Sequence, residues 1–134
     1  MSLVAMSSFL RRALLADALV SAAAGAVMSL GADALAPLLN LPAGLLLGAG
    51  AVLFPWAAAL LWMTRKAAVP SAAVWAVIVL NVAWVVESLW VALGGVTHPN
   101  VLGQVFIAVQ ALAVVVFAEL EFIGMRRAPV AAVA

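Results

Sequence analysis

Cysteine and tyrosine are absent from this 134-residue chain, histidine occurs once, and charged residues make up only 8%. Without Cys there are no disulfides, thiolate metal sites or cysteine nucleophiles. One His cannot build a histidine metal cluster or a bis-histidine haem site within one chain. No metal and no cofactor is therefore expected. A soluble domain carries about 25% charged residues. Here 69% of residues are hydrophobic, more than a soluble fold of this size can hide, so the expected partner is a lipid bilayer. A net charge of +1 gives no case for nucleic acid. With no Tyr, interfacial anchoring falls to the five Trp.

The few charges are ordered. All six basic residues fall in three adjacent pairs, Arg11-Arg12, Arg65-Lys66 and Arg126-Arg127. Between them lie apolar stretches of membrane-spanning length, about 20 residues as helix. Spans are expected at about 13–30, 43–62, 72–93 and 101–123. The separators are turn-like: Gly31-Ala32-Asp33, Asn40-Leu41-Pro42, Pro70-Ser71, and Gly94-Gly95 through His98-Pro99-Asn100. The apolar segment 34–39 either extends the first helix or lies at the interface. The expected fold is an all-α membrane protein, a four-transmembrane-helix bundle forming a single domain over 1–134.

Orientation follows from the positive-inside rule. The N-terminus, middle loop and C-terminus hold every Lys and Arg, which places both termini in the cytoplasm of a bacterial inner membrane, multi-pass. A signal peptide is the competing reading of the first span, with Ala34-Leu35-Ala36 as cleavage site. Asp17 would interrupt its apolar region and Pro37 would follow the cut, so the span is expected to be retained. Trp62, Trp75 and Trp90 fall near the ends of spans and read as belt anchors. Trp56 and Trp84 lie deeper and suit internal packing.

The two hairpins echo each other. The segment 60–67, LLWMTRKA, aligns with 121–128, EFIGMRRA, and Asp17 and Asn81 occupy similar places. A tandem repeat would be parallel, about an axis along the membrane normal. The alternative is that any two basic-ended apolar hairpins look alike. Small residues let helices approach closely in lipid. Ser21 and Gly25 in the first span, and Gly44 and Gly48 in the second, have small-xxx-small spacing, either as an internal seam or as a face for a second copy. Pro55 should kink the second span or free a carbonyl there.

Polar residues inside the spans are the functional leads, because a charged side chain at a span centre costs about 2.5–3.5 kcal/mol on the insertion scale and tends to mark function. Asp17 lies five residues past Arg12, about 7.5 Å along a helix axis. Glu119 and Glu121 precede Arg126 by seven and five residues and point about 200° apart. One reading pairs Asp17 or Glu121 with a nearby Arg. The other makes them an acidic site for a proton or cation. Glu87 is far from every Lys and Arg in the sequence. Asn81, Trp84 and Ser88 share a helix face beside it, and Gln104 and Gln110 could meet it from the fourth span. That cluster of Asn81, Trp84, Glu87, Ser88, Gln104 and Gln110 is the main candidate site, either as a ligand or proton site or as interhelical hydrogen-bond glue. No phosphate-binding loop, dinucleotide fingerprint, zinc motif or nucleophile elbow occurs, so no catalytic residue is assigned. A membrane enzyme with Glu87 as general base is the weakest reading, because one carboxylate without partners specifies no reaction.

The residues Asn81-Val82-Ala83-Trp84, Gly103-Gln104, Gln110-Ala111 and 118–127, AELEFIGMRR, resemble a group of small bacterial integral membrane proteins with four predicted spans and no assigned function. The resemblance implies four spans and supplies no chemistry. Two functions are expected from the residues. The first is a non-enzymatic helical bundle that binds a lipid-like ligand or partner subunit. The alternative is a proton-coupled small-molecule transporter or channel, working as a homo-oligomer and using Glu87 and Asp17.

Overall fold

The structure, a computed structural model, describes residues 2–128. Five helices dominate it: α1 (Ser8–Leu30), α2 (Ala32–Leu39), α3 (Ala43–Thr64), α4 (Ser71–Ala92) and α5 (Val101–Arg127). Two short strands, β1 (Leu3–Ala5) and β2 (Ala68–Pro70), pair antiparallel, with Val4 opposite Val69. Every helix but α2 is long and apolar enough to cross a membrane.

Local chemistry sets the helix ends. Ser7 caps α1, its hydroxyl accepting from the Leu10 amide at 3.2 Å. The helix therefore starts five residues before the expected span and carries Arg11 and Arg12 in its first turns. Hydropathy marks where a helix is apolar, whereas the cap marks where it begins. Asn100 caps α5 in the same way, accepting from Gly103 at 2.8 Å. At its other end α5 runs through Arg126 and Arg127, where positive charge favours the helix C-terminus.

Segment 34–39 belongs to a separate helix. Gly31 ends α1 by donating its amide to Val27 and also starts α2. Asp33 sits in the first turn of α2, and Asn40 closes it in the left-handed conformation at φ 53°. α3 continues through Pro55 as one helix.

The three basic pairs gather at one end of the molecule. Arg11 donates to the Thr64 carbonyl at the end of α3. Gly124, near the end of α5, packs on Leu10. The ribbon closes this end: Met6 donates to Ala67 at 2.9 Å and Ser71 to Ser2 at 3.0 Å. The strands were not expected from the sequence. Each is three residues long, LVA and AVP, with no apolar–polar alternation in sequence to separate it from loop.

The opposite end is also tied. Asn100 donates its backbone amide to Leu39 and its side chain to Leu38, and Asn40 donates to His98. A side chain at Gly103 would strike the Leu39 carbonyl, so glycine lets α5 approach the α2 turn.

Two apolar cores fill the interior. One, at the basic end, joins Val4, Leu10, Leu14, Leu60, Val69 and Val74. The other, towards the far end, joins Met28, Leu39, Leu46, Leu53 and Ile107. Trp56 packs against both. The outer faces stay apolar: Val79, Val86, Val109 and Leu112 are each about 60% exposed. Monomeric soluble proteins rarely expose large contiguous apolar surface.

Candidate functional site

The arrangement of the long helices leaves an opening. α1 packs on α3, α4 packs on α5, and α1 joins the two pairs through α5. α3 and α4 have no comparable seam. At the basic end Leu60 of α3 and Val74 and Val77 of α4 belong to one apolar core. Further along, the space between them holds two cavities. One, of about 130 Å³, lies among Leu45, Leu46, Val91, Trp84, Glu87 and Gln110. The other, of about 270 Å³, runs from Ser21 and Asn81 past Trp56 and Trp84 to Glu87. A third, of about 350 Å³, lies mainly between α1 and α5, among Val20, Val27 and Phe117, and also reaches Leu53, Trp84 and Gln110.

The residues of the expected polar cluster separate into three places. Trp84 donates its indole N–H to Gln110 Oε1 at 2.8 Å. Gln110 donates to Ser88 Oγ at 3.0 Å, and Ser88 donates to the Trp84 carbonyl at 2.7 Å. These three half-buried side chains link α4 to α5 and, with Glu87, form the polar part of the smaller cavity's wall. Gln104 stands apart, exposed, donating to the Ala92 carbonyl at 3.2 Å. Glu87 is exposed on α4 and lines both cavities of the α3–α4 cleft.

Asn81 goes elsewhere. Its amide nitrogen donates to Asp17 Oδ2 at 3.0 Å and to Glu121 Oε1 at 2.8 Å. Ser21 donates to the other Asp17 oxygen at 3.0 Å. Asp17, Asn81 and Glu121 are 1%, 4% and 0% exposed. Three helices thus meet through one amide holding two carboxyl groups. The second Glu121 oxygen, Oε2, is buried and finds no partner.

Sequence position explains the split. Asn81 and Ser88 lie on one helix face but seven residues apart, about 10 Å along the axis. A shared face is not a shared depth. Asn81 is ten residues into α4 and Asp17 nine into α1, both counted from the basic end. The hairpin comparison already gives Asp17 and Asn81 similar places, and the helix starts turn that likeness into a matching depth.

An Arg partner for Asp17 or Glu121 was one expectation, and the structure gives Asn81 instead. Arg11 bonds the Thr64 and Met6 carbonyls. Arg126 and Arg127 lie over Phe122 and Phe9, at 5.7 and 5.9 Å from the ring centroids. Lys66 lies 4.6 Å over Trp62, while Arg12 and Arg65 are exposed. Glu119 is exposed while Glu121 is buried, consistent with their opposed directions on one helix.

The small residues also divide. A Cβ on Gly25 would meet the Gly50 carbonyl oxygen at 2.9 Å, so α1 and α3 cross with backbones in contact. Gly44 and Gly48 have nothing within 4 Å of such a Cβ and face away from the other helices. Among the described residues, no group of three or more His, Asp or Glu is placed to hold a metal ion. Comparison with protein-family models, with curated proteins and with solved structures gives no match.

Proposed function

We propose that this chain is a non-enzymatic, multi-pass protein of a bacterial inner membrane that binds a lipid-like ligand in the α3–α4 cleft. One observation carries the reading. The two cavities of the cleft share Trp84 and Glu87 in walls otherwise dominated by apolar side chains. An acyl or isoprenoid chain would lie against Leu45, Leu46, Val52 and Val91. A hydroxyl or amine on the ligand would meet Glu87. Clefts of this kind, apolar with a few placed polar groups, are the usual form of ligand sites.

The membrane part of the proposal is supported by the four long apolar helices and their apolar outer faces. All three basic pairs lie at one end, which the positive-inside rule assigns to the cytoplasm together with both termini. In this reading Trp62, Trp75 and Trp90, each exposed near a helix end, anchor at the interfaces. The four long helices form a bundle, and a second copy or partner subunit would pack on its lipid-facing surface.

The test is photo-crosslinking with a diazirine-bearing phospholipid or polyprenol in native membranes, followed by peptide mapping. Labels concentrated on α3 residues 45–53 and α4 residues 84–91 support the cleft. Labels spread evenly around all four helices overturn it. A second reading, an oligomeric proton-coupled transporter or channel using Glu87 and Asp17, is favoured by one observation: Ser21 and Asn81, both bonded to Asp17, line the cavity that reaches Glu87. Flux in proteoliposomes that is lost in Glu87→Gln or Asp17→Asn would select it.

A further inference from the structure

We infer that Asp17 and Glu121, bridged by Asn81, form a binding site for a single exchangeable proton. The inference rests on neither reading of the cleft.

The geometry selects the ligand. Asn81 Nδ2 has two hydrogens, and one goes to each carboxyl group. Ser21 supplies a third donor, to Asp17. Three of the four carboxyl oxygens are therefore occupied by donors. A metal cation needs those oxygens free and turned inward, yet here N–H groups stand between them. The fourth oxygen, Glu121 Oε2, is buried without a partner. One amide nitrogen touches an oxygen of each carboxyl group, at 3.0 and 2.8 Å, so the two groups stand side by side. Two buried carboxylates are both acceptors of like charge, and a proton on one of them relieves that repulsion.

The surroundings leave few other ways to balance the charge. α1 contributes Asp17 and Ser21, α4 contributes Asn81, and α5 contributes Glu121. α3 contributes the apolar Ala57 and Leu60 to the adjoining core, with Leu14, Ala18 and Ile78 from α1 and α4. The basic side chains Arg11, Lys66, Arg126 and Arg127 engage carbonyls or aromatic rings instead.

A route exists as well. Ser21 and Asn81 reach the wall of the 270 Å³ cavity, which extends to the exposed Glu87. That volume is large enough for several waters. Binding transfers a proton from hydronium in that space to a carboxylate oxygen, forming an O–H bond and leaving water. Release is the reverse. The one amide that holds both groups makes the proton a property of the pair.

Infrared difference spectroscopy on the full chain in lipid nanodiscs, across a pH series, tests this. The expected result is a carboxylic-acid carbonyl band that titrates with pH and shifts in D₂O. Glu121→Gln and Asp17→Asn should each abolish or displace it. Glu87→Gln and Glu119→Gln should leave it. Because an amide variant could misfold, the wild-type chain is also prepared with ¹³C-carboxyl Asp or with ¹³C-carboxyl Glu. A band that shifts with both labels supports a shared proton. A band lost only in Glu87→Gln, a band insensitive to pH, or no band at all overturns the site. So does a band that sodium ions remove at constant pH, which would mark a cation site.

Discussion

Asn81 and Glu121 stand 40 positions apart in the chain and 2.8 Å apart in the fold. The same amide nitrogen reaches Asp17, 64 positions away, at 3.0 Å. One side chain on α4 therefore fixes the rotation of α1 and α5 against it. Apolar packing alone sets this weakly in a chain whose helices are apolar on every face.

Replacing Asn81 removes the donor that two buried carboxyl groups share. Asn81→Leu is expected to lower stability by about 1–3 kcal/mol, the range for hydrogen bonds to charged groups and for stranded acceptors. Unfolding in a mixed-micelle denaturant series measures it. The triple variant Asp17→Leu, Asn81→Leu, Glu121→Leu should recover most of that loss, because no polar group is left buried without a partner. If the triple variant is less stable than Asn81→Leu alone, the cluster is not the source of the cost.

Two glycines of similar sequence setting should behave differently. Gly25→Ala places a methyl 2.9 Å from the Gly50 carbonyl oxygen, which cannot rotate away. The α1–α3 crossing must open, at about 1–3 kcal/mol. Gly48→Ala meets nothing within 4 Å and should leave monomer stability unchanged or slightly raised, since Ala favours helix. Thermal unfolding of the two variants side by side checks the pair. Equal losses would mean that a second copy packs closely on Gly48.

How much of this was legible in the sequence depends on which force acted. The four long helices follow from apolar length, and the expected bounds lie within about five residues of the helix ends because the same apolar runs set both. The start of α1 escaped, because Ser7 caps it ahead of a charged pair that reads as flank. The depth of Asp17 and Glu121 was readable from the basic pairs. Their partner was not, since Asn81 has only Lys66 as a ruler and the β2 segment lies between. Trp84, Ser88 and Gln110 were grouped in the sequence reading and are joined by hydrogen bonds. Gln104, assigned to the same cluster, sits nearly two helical turns earlier in α5 and bonds a carbonyl near the α4 end.

The ribbon offers a local test. Val4 and Val69 are 7% and 2% exposed and face each other across β1 and β2. Val4→Asp would bury a carboxylate in the apolar core at the basic end, and releasing β1 is cheaper than leaving it there. Hydrogen exchange at residues 3–6 should accelerate by at least about tenfold, the factor for 1.4 kcal/mol of local opening, while α3 and α5 amides stay protected. Trypsin cleavage after Arg65 or Lys66 should rise in parallel. Unchanged exchange would mean that the ribbon contributes nothing to closing that end.

The cleft makes its own prediction through Trp84. The indole spans both α3–α4 cavities and bonds Gln110 at 2.8 Å. Trp84→Phe loses that bond but keeps most of the apolar bulk, and should cost under about 2 kcal/mol. Trp84→Ala enlarges both cavities and, because the side chain is half-buried, should cost less than the roughly 3–5 kcal/mol of a fully buried aromatic but more than Trp84→Phe. Fluorescence locates the acyl chain. In a variant whose other four Trp are replaced by Phe, lipids brominated along the acyl chain should quench Trp84 strongly if chains enter between α3 and α4. A matched variant keeping only Trp90, 58% exposed near the far end of α4, gives the reference for a residue facing lipid. Quenching of Trp84 close to that reference places acyl chain inside the cleft. Quenching near zero, with Trp90 fully quenched, means the α3–α4 space is shut to lipid and removes the basis for a lipid-like ligand there.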